Sequence, residues 1–167
     1  MLLRIFYEEA EEKVRELAYG DVAAIEGFVG SGKTSLADQL AASTGATAVH
    51  LDDFIADGSE ELPYWDRLDY KRLAEAITAA RSSDQGALVE GICLQVVLRK
   101  LDLSPSFGIY VMRVSHTGNW HDGMHLQDFL RGHHSQISEP DRSDYKYHSL
   151  HAAHEVLDFS YVRFERE

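Results

Sequence analysis

Apolar positions along the chain follow two spacings that alternate. Short apolar runs, typical of buried strands, lie at residues 21–27, 47–51, 87–92 and 107–114, and a segment with period-two alternation lies at 158–164. Apolar residues at helical spacing lie at residues 6–18, 35–42, 69–81, 93–100, 124–131 and 145–155. This order predicts an α/β fold of three layers, in which helices cover both faces of a mainly parallel, five-stranded sheet.

The turn between the first predicted strand and the helix after it is rich in glycine. Residues 27–34 read Gly-Phe-Val-Gly-Ser-Gly-Lys-Thr, a complete GxxxxGK[ST] or Walker A loop in its required strand–loop–helix context. Glycines allow backbone N–H groups to curl around a polyphosphate, Lys33 reaches the outer phosphates and Thr34 offers a hydroxyl to Mg²⁺. The residues expected to contact the nucleotide are Gly27, Phe28, Val29, Gly30, Ser31, Gly32, Lys33, Thr34 and Ser35. The loop therefore predicts a P-loop NTPase fold.

Acidic residues follow two other predicted strands. Asp52 and Asp53 come after the second strand, and Glu90 lies at the end of the third. An acid in such a place is often only a helix cap or a solvated loop residue. In an open parallel sheet, however, ligands bind beyond the carboxyl ends of the strands, and that edge is where the glycine loop also lies. Phosphoryl transfer needs a phosphate cradle, Mg²⁺, a base and cations. The glycine loop offers the cradle, and the acids offer candidate ligands for Mg²⁺ and a candidate base.

The same segments resemble a known family. Residues 49–54 (Val-His-Leu-Asp-Asp-Phe) and 89–92 (Val-Glu-Gly-Ile), together with the loop, look like the uridine kinase and phosphoribulokinase family of P-loop kinases. The resemblance spans residues 21–92. It implies ATP and Mg²⁺, with Asp52 as the base that accepts the proton of the substrate hydroxyl and Glu90 assisting the metal beside Thr34.

The resemblance also suggests an acceptor-binding segment at residues 64–70, Tyr-Trp-Asp-Arg-Leu-Asp-Tyr. Asp66 is then the candidate to hydrogen-bond a sugar hydroxyl. Tyr64 is a candidate to stack on a base or ring, although aromatic residues are more often part of the core. Asp53 is a further candidate to contact the acceptor.

The second half of the chain departs from this family, whose members carry a lid with several closely spaced arginines after the fourth strand. Here arginine is sparse, and the region around residues 115–145 is polar and rich in histidine. Arg131 is predicted to provide the catalytic lid cation, with Arg142 as the second choice. We expect this lid and acceptor region to belong to one domain spanning residues 1–167.

Eight of the nine histidines lie from His116 onward. His121 and His125 are four residues apart, and another group, His148, His151 and His154, repeats every three residues. Either set could put imidazoles on one helical face as metal ligands. Because the metalloprotease glutamate and a cysteine cluster are both missing from the sequence, a polar, pH-sensitive surface is the favoured interpretation.

Charge and composition narrow the function. The formal net charge of −12 argues against a broad nucleic-acid or anionic-membrane surface. Apolar runs stay well short of the roughly 20 residues of a membrane span, and the acidic N-terminal segment is unlike a secretory signal. Cys93 is the single cysteine, which is typical of a reducing compartment, so a cytoplasmic location is expected.

The sequence therefore predicts an ATP-dependent small-molecule kinase that transfers the γ-phosphate to a hydroxyl of a nucleoside-like or other small metabolite. Two alternatives stay open: a sugar or antibiotic-type metabolite kinase, and a catalytically weak nucleotide-binding regulatory module. The expected partner is a small hydroxyl acceptor, with neither nucleic acid nor membrane, and a homo-oligomer is left open.

Overall fold

The computed structural model describes residues 3–5, 7–115, 117, 119–133, 135–152 and 161–166, with backbone only for 3–5, 151, 152 and 161–166. The strands are β1 (Leu3–Ile5), β2 (Val22–Gly27), β3 (Thr47–His50), β4 (Ala87–Gly91), β5 (Phe107–Arg113) and β6 (Tyr161–Arg166). The helices are α1 (Tyr7–Arg15), α2 (Lys33–Thr44), α3 (Tyr70–Arg81), α4 (Leu94–Lys100), α5 (Gly123–Leu130) and α6 (Glu139–Ala152). Two short 3-10 helices span Leu51–Phe54 and Tyr64–Asp66.

The sheet is parallel throughout its described strands, in the order β1-β6-β5-β2-β4-β3. Four of these strands, β5-β2-β4-β3, are consecutive in the sheet, and the glycine loop follows β2. Strands β6 and β1 extend the sheet on the far side of β5. The prediction of five strands is wrong, because β1 adds a strand that was not foreseen. Its three residues are too few to show a period.

Helices on both faces of the sheet explain why the central strands β2 and β4 are buried along their whole length. The side chains of β2 alternate between two cores: Val22 and Ala24 belong to one, and Ala23 and Ile25 to the other. The first core is covered by α3 and α4, and the second by α1 and α2. This double burial is the pattern expected of a parallel sheet in a three-layer fold.

The helix α6 begins six residues before its predicted start at residue 145. Ser138 provides the reason, because its hydroxyl accepts a hydrogen bond from the Asp141 backbone N–H at 3.3 Å, as an N-cap does. Pro140 in the first turn is compatible with a helix start. Residues 153–155 of the predicted helix, and residues 158–160 of the predicted last strand, lie outside the described residues.

Among the described residues, every helix is too short or too polar to span a bilayer.

Candidate functional site

The glycine loop, residues 27–34, leaves the sheet at the end of β2, which lies between β4 and β5. Gly32 caps α2 in the left-handed region with φ of 90°, a conformation that is costly for residues with a side chain. The turn brings the first N–H groups of α2 to the carboxyl edge of the sheet. These groups have no acceptor within the helix, and the helix dipole makes that end positive. The local structure is therefore suited to an anion.

Two polar side chains of the loop are largely buried. Lys33 is only 9% exposed, so most of its side chain is packed against the protein. The buried Ser31 Oγ has no hydrogen-bond partner among the residues that the structure describes. A buried polar atom of this kind is costly unless something satisfies it. A bound polar ligand would do so.

Glu90 connects the loop to the neighbouring strand. Its carboxylate is at the end of β4 and the residue is 1% exposed. Thr34 Oγ1 donates to Glu90 Oε1 at 3.1 Å, and His50 Nδ1 lies 2.9 Å from the same oxygen. Glu90 Oε2 is buried and lacks a partner within the described ranges. A hydroxyl beside a carboxylate with an unsatisfied oxygen is an oxygen donor set of the kind that Mg²⁺ prefers, so the residues present fit this ion.

The glycine after Glu90 is required by close packing. A Cβ on Gly91 would lie 2.5 Å from Leu51 Cδ1, closer than carbon atoms approach. Leu51 is fully buried in the core beside α3. The Glu-Gly pair thus combines a carboxylate for the crevice with the space that lets the end of β3 pass close to β4.

His50, the last residue of β3, is a functional candidate that the sequence interpretation missed. In addition to its contact with Glu90, its Nε2 lies 3.1 Å from Asp38 Oδ1 on α2. Burial alone would lower the pKa of His50, but the Glu90 carboxylate, helped by Asp38 and Asp53, outweighs burial and raises the pKa. The histidine therefore bridges two elements at the edge of the crevice. Its place two residues before Asp52 was the available signal.

Asp52 lies in the 3-10 helix Leu51–Phe54 directly after β3, and its side chain is exposed. The Tyr64 hydroxyl donates to Asp52 Oδ1 at 2.6 Å. Burial, followed by the charges of Asp52 and Glu90, raises the pKa of Tyr64 far above its ordinary range. Tyr64 is thus a neutral donor close to both carboxylates. The structure brings together the predicted base, the predicted metal ligand and the loop.

Tyr64 itself is 4% exposed and belongs to the core on the α3 side. So little surface gives no support to the prediction that its ring stacks on an acceptor. The other two candidates for contact with the acceptor, Asp66 and Asp53, have different surroundings. The Asp66 carboxylate pairs with Lys100 at the end of α4, and Asp53 lines a cavity of about 340 Å³ at the outer edge of β3. The direct roles predicted for these three residues toward an acceptor stay predictions.

The two lid arginines differ in their surroundings. Arg131 follows α5 with its side chain 67% exposed, and its guanidinium lies 3.4 Å from Asp128 on the same helix. Arg142 bonds to Glu139 at 2.6 Å and donates to the Ile137 carbonyl at 3.2 Å. Arg131 is therefore the more accessible of the two cations, and its role as the catalytic lid cation stays a prediction.

The helix α6 is fixed to the crevice by polar contacts. The Asp144 carboxylate accepts from the Cys93 thiol at 3.6 Å and from the Tyr64 backbone N–H. Burial raises the pKa of Asp144 to about 6. The Phe28 ring of the loop packs edge-on against Tyr145 of α6, with 5.0 Å between ring centroids. Helix α6 thus contacts both the glycine loop and the segment around Tyr64.

The histidines of this region do not form a metal centre in the part of the chain that is described, since no group of three or more His, Cys, Asp or Glu residues there could hold an ion. His148 is buried, and its Nδ1 lies 2.7 Å from the Tyr110 hydroxyl. His116, His154 and the side chain of His151 lie outside the described residues.

Comparisons with known proteins agree with the fold. No family model and no curated protein matches the chain. Among solved structures, a "possible uridine kinase" from Bacillus stearothermophilus matches with a TM-score of 0.56 and 18% identity, over 95% of this chain and 96% of that one. A "putative fructose transport system kinase" from a Silicibacter species matches with a TM-score of 0.54 and 18% identity, over 98% and 100% of the two chains. The chain thus has a three-layer α/β fold like that of P-loop kinases.

Proposed function

We propose that this chain is an ATP-dependent kinase that transfers the γ-phosphate to a hydroxyl group of a small molecule. The observation that carries the proposal is the contact between Thr34 and Glu90, together with the position of Asp52 on the next strand end. These two observations place a phosphate-binding loop and two carboxylates at the same edge of the sheet. Metabolite kinases need these parts in this arrangement, since they transfer phosphate by positioning and charge stabilisation.

The donor phosphates occupy the glycine loop in this proposal. The backbone N–H groups at the start of α2 bind their oxygens, and Lys33 neutralises charge that develops on the transferred group. Thr34 and Glu90 would hold Mg²⁺, which supplies further charge neutralisation when it is bound. His50 keeps the Glu90 carboxylate in place by its bond to Oε1.

Asp52 acts as the base. It is exposed toward solvent, as a group that must reach a substrate has to be, while Tyr64 occupies its Oδ1. We assign Oδ2 as the oxygen that accepts the proton of the acceptor hydroxyl. Arg131 is the candidate that closes over the transferred phosphate from the lid side.

The acceptor is proposed to be nucleoside-like or another small hydroxylated metabolite. The two structural neighbours carry names with different acceptors, a nucleoside in one and a sugar in the other, so a sugar kinase is the second candidate. The net charge of −12 supports a small acceptor rather than a nucleic acid or a membrane surface, and we propose a cytoplasmic location. A homo-oligomer stays a prediction.

Phosphate transfer from ATP to a panel of nucleosides and sugars, with Mg²⁺, tests the proposal. We expect turnover that depends on one acceptor class. Lys33→Ala should lower kcat by about 10²- to 10³-fold, as the loss of a charge-stabilising donor does, and Asp52→Asn by about 10²- to 10⁴-fold. Asp57→Asn makes the same change at an exposed residue of the following loop and should leave kcat unchanged.

Full activity of Asp52→Asn would remove the base assignment. Tight ATP binding by the wild-type protein without turnover on any acceptor would instead favour a nucleotide-binding regulatory module.

A further inference from the structure

We propose that Tyr64 is a positioning residue for the base, and that helix α6 holds Tyr64 in this role. The Tyr64 hydroxyl fixes one carboxylate oxygen of Asp52, so that the other oxygen faces the acceptor. The inference rests on the proposed function, since it concerns the same base. It gives Tyr64 a role that differs from direct contact with a substrate.

The bond between the two side chains is short and oriented. The distance from the Tyr64 hydroxyl to Asp52 Oδ1 is 2.6 Å, which is typical of a neutral O–H donor to a charged oxygen. Asp52 is an exposed residue of a single 3-10 turn, and such side chains sample several rotamers when nothing holds them. A bond to a residue in the core removes that freedom before the substrate binds.

Tyr64 can serve as this fixed point because the chain around it is anchored on two sides. Its ring packs in the core with residues such as Leu51 and Cys93. Its backbone N–H donates to the Asp144 carboxylate on α6, and Arg67 Nη2, three residues later, lies 3.9 Å from Asp141 on the same helix. Helix α6 therefore holds the segment that orients the base.

Orientation of this kind affects the rate of transfer more than substrate affinity. Reacting groups held in a productive geometry before binding avoid an entropy cost in the transition state, whereas the ground-state contacts of the nucleotide do not involve Tyr64. Loss of the hydroxyl should then lower kcat with little change in the KM for ATP.

The test compares Tyr64→Phe with Tyr7→Phe. The Tyr7 hydroxyl lies 3.2 Å from Ser43 Oγ, between α1 and the end of α2, so the control removes a tyrosine hydroxyl outside the candidate site. We expect kcat of Tyr64→Phe to fall about tenfold at unchanged KM for ATP, and Tyr7→Phe to stay within about twofold of wild type.

A second readout does not depend on turnover. The ¹³C chemical shift of the Asp52 carboxyl is compared at pH 7 in the wild type and both variants. Because the Tyr64 hydroxyl donates to Asp52 Oδ1, this resonance should move in Tyr64→Phe and stay in place in Tyr7→Phe. Replacing Tyr64 by 3-fluorotyrosine keeps its shape, makes it a stronger donor and should move the resonance in the opposite direction, which covers a failure of the phenylalanine variant to fold.

The outcomes separate this inference from the proposed function. If the wild-type protein transfers phosphate to no acceptor, the proposed function fails, and the carboxyl resonance still decides whether Tyr64 controls Asp52. The inference is overturned if the Asp52 carboxyl resonance is the same in all folded variants, or if Tyr7→Phe lowers kcat as much as Tyr64→Phe does.

Discussion

The strand-end site, formed by Lys33, Thr34, His50, Asp52 and Glu90, contrasts with the helices α5 and α6. We call these helices the lid hairpin, after the role predicted for this region. In the strand-end site, contacts join elements far apart in the sequence, such as Thr34 with Glu90 and His50 with Asp38. In the lid hairpin, the arginines bond within their own helix or its first turn: Arg131 to Asp128 and Arg142 to Glu139.

This difference teaches which part of the chemistry is preorganised. A buried carboxylate with two donors keeps one orientation, and its bonds are strengthened by the low dielectric around it. An exposed pair three residues apart on a helix contributes between about zero and 1 kcal/mol and exchanges readily with water. The strand-end site is therefore built before a ligand arrives. A lid cation can join it only by giving up a weak local partner.

The largest expected effect comes from breaking the strand-end site at Glu90. Glu90→Gln keeps the shape but removes the charge beside Thr34, so binding of the divalent ion should weaken by about 10- to 100-fold. The measurement is calorimetric titration of Mn²⁺ in the presence of ADP, with the Mg²⁺ concentration for half-maximal turnover as a second readout.

Glu75→Gln is the matched control, because it makes the same change on the exposed face of α3 and should leave ion affinity unaltered. Equal ion affinity in wild type and Glu90→Gln would mean that Glu90 is a structural bridge between β4 and the loop, and not a metal ligand.

A smaller effect is expected from the lid hairpin. Arg131→Ala should lower kcat by about tenfold if its exposed guanidinium reaches the transferred phosphate, since it gives up only the bond to Asp128. Arg142→Ala should change kcat little and instead lower the free energy of unfolding by about 1 kcal/mol, because its side chain bonds to the Ile137 carbonyl at the start of α6. The measurements are steady-state kinetics and urea unfolding.

If the two variants behave alike in kinetics, the greater exposure of Arg131 has no catalytic meaning. The lid hairpin would then contribute packing rather than a catalytic cation, and the strand-end site would be the catalytic region of the two.

The same contrast explains what the sequence could predict. The positions of Glu90 and Asp52 could be predicted from the apolar runs of the strands and from the alternation of strands and helices along the chain. The carboxyl ends of parallel strands meet at one edge of the sheet, so residues that follow such strands lie at that edge. The residue types of the glycine loop predict its backbone geometry. The boundaries of α2, α3 and α4 were also close to those observed, since each has apolar residues at helical spacing.

Other features depend on contacts that no local pattern records. The bond from Tyr64 to Asp52 crosses a polar loop whose path is set only by the folded structure. The three residues of β1 are too few for a period, and the start of α6 lacks apolar spacing, although Ser138 and Asp141 provided a capping signal. His50 was assigned to a strand without a role, because its two carboxylate partners come from α2 and β4.

The smallest effect is expected at Asp144, where the lid hairpin meets the segment around Tyr64. Burial raises the pKa of this carboxyl from its ordinary value of 3.8 to about 6. The groups that face it are the Cys93 thiol, the Tyr64 backbone N–H, the Arg67 guanidinium and the Asp141 carboxylate. Because the folded protein binds the extra proton, the free energy of unfolding should fall as the pH rises from about 4 to about 6.

Asp144→Asn keeps an acceptor oxygen for Tyr64 and removes this fall. In urea unfolding, the free energy of unfolding of the variant should therefore rise by about 1 kcal/mol relative to wild type between pH 4 and pH 7, a value discounted for partial solvent screening. A constant difference between the two proteins across that range would show that the pKa of Asp144 is the same in the folded and the unfolded protein, and that its burial carries no proton-linked cost.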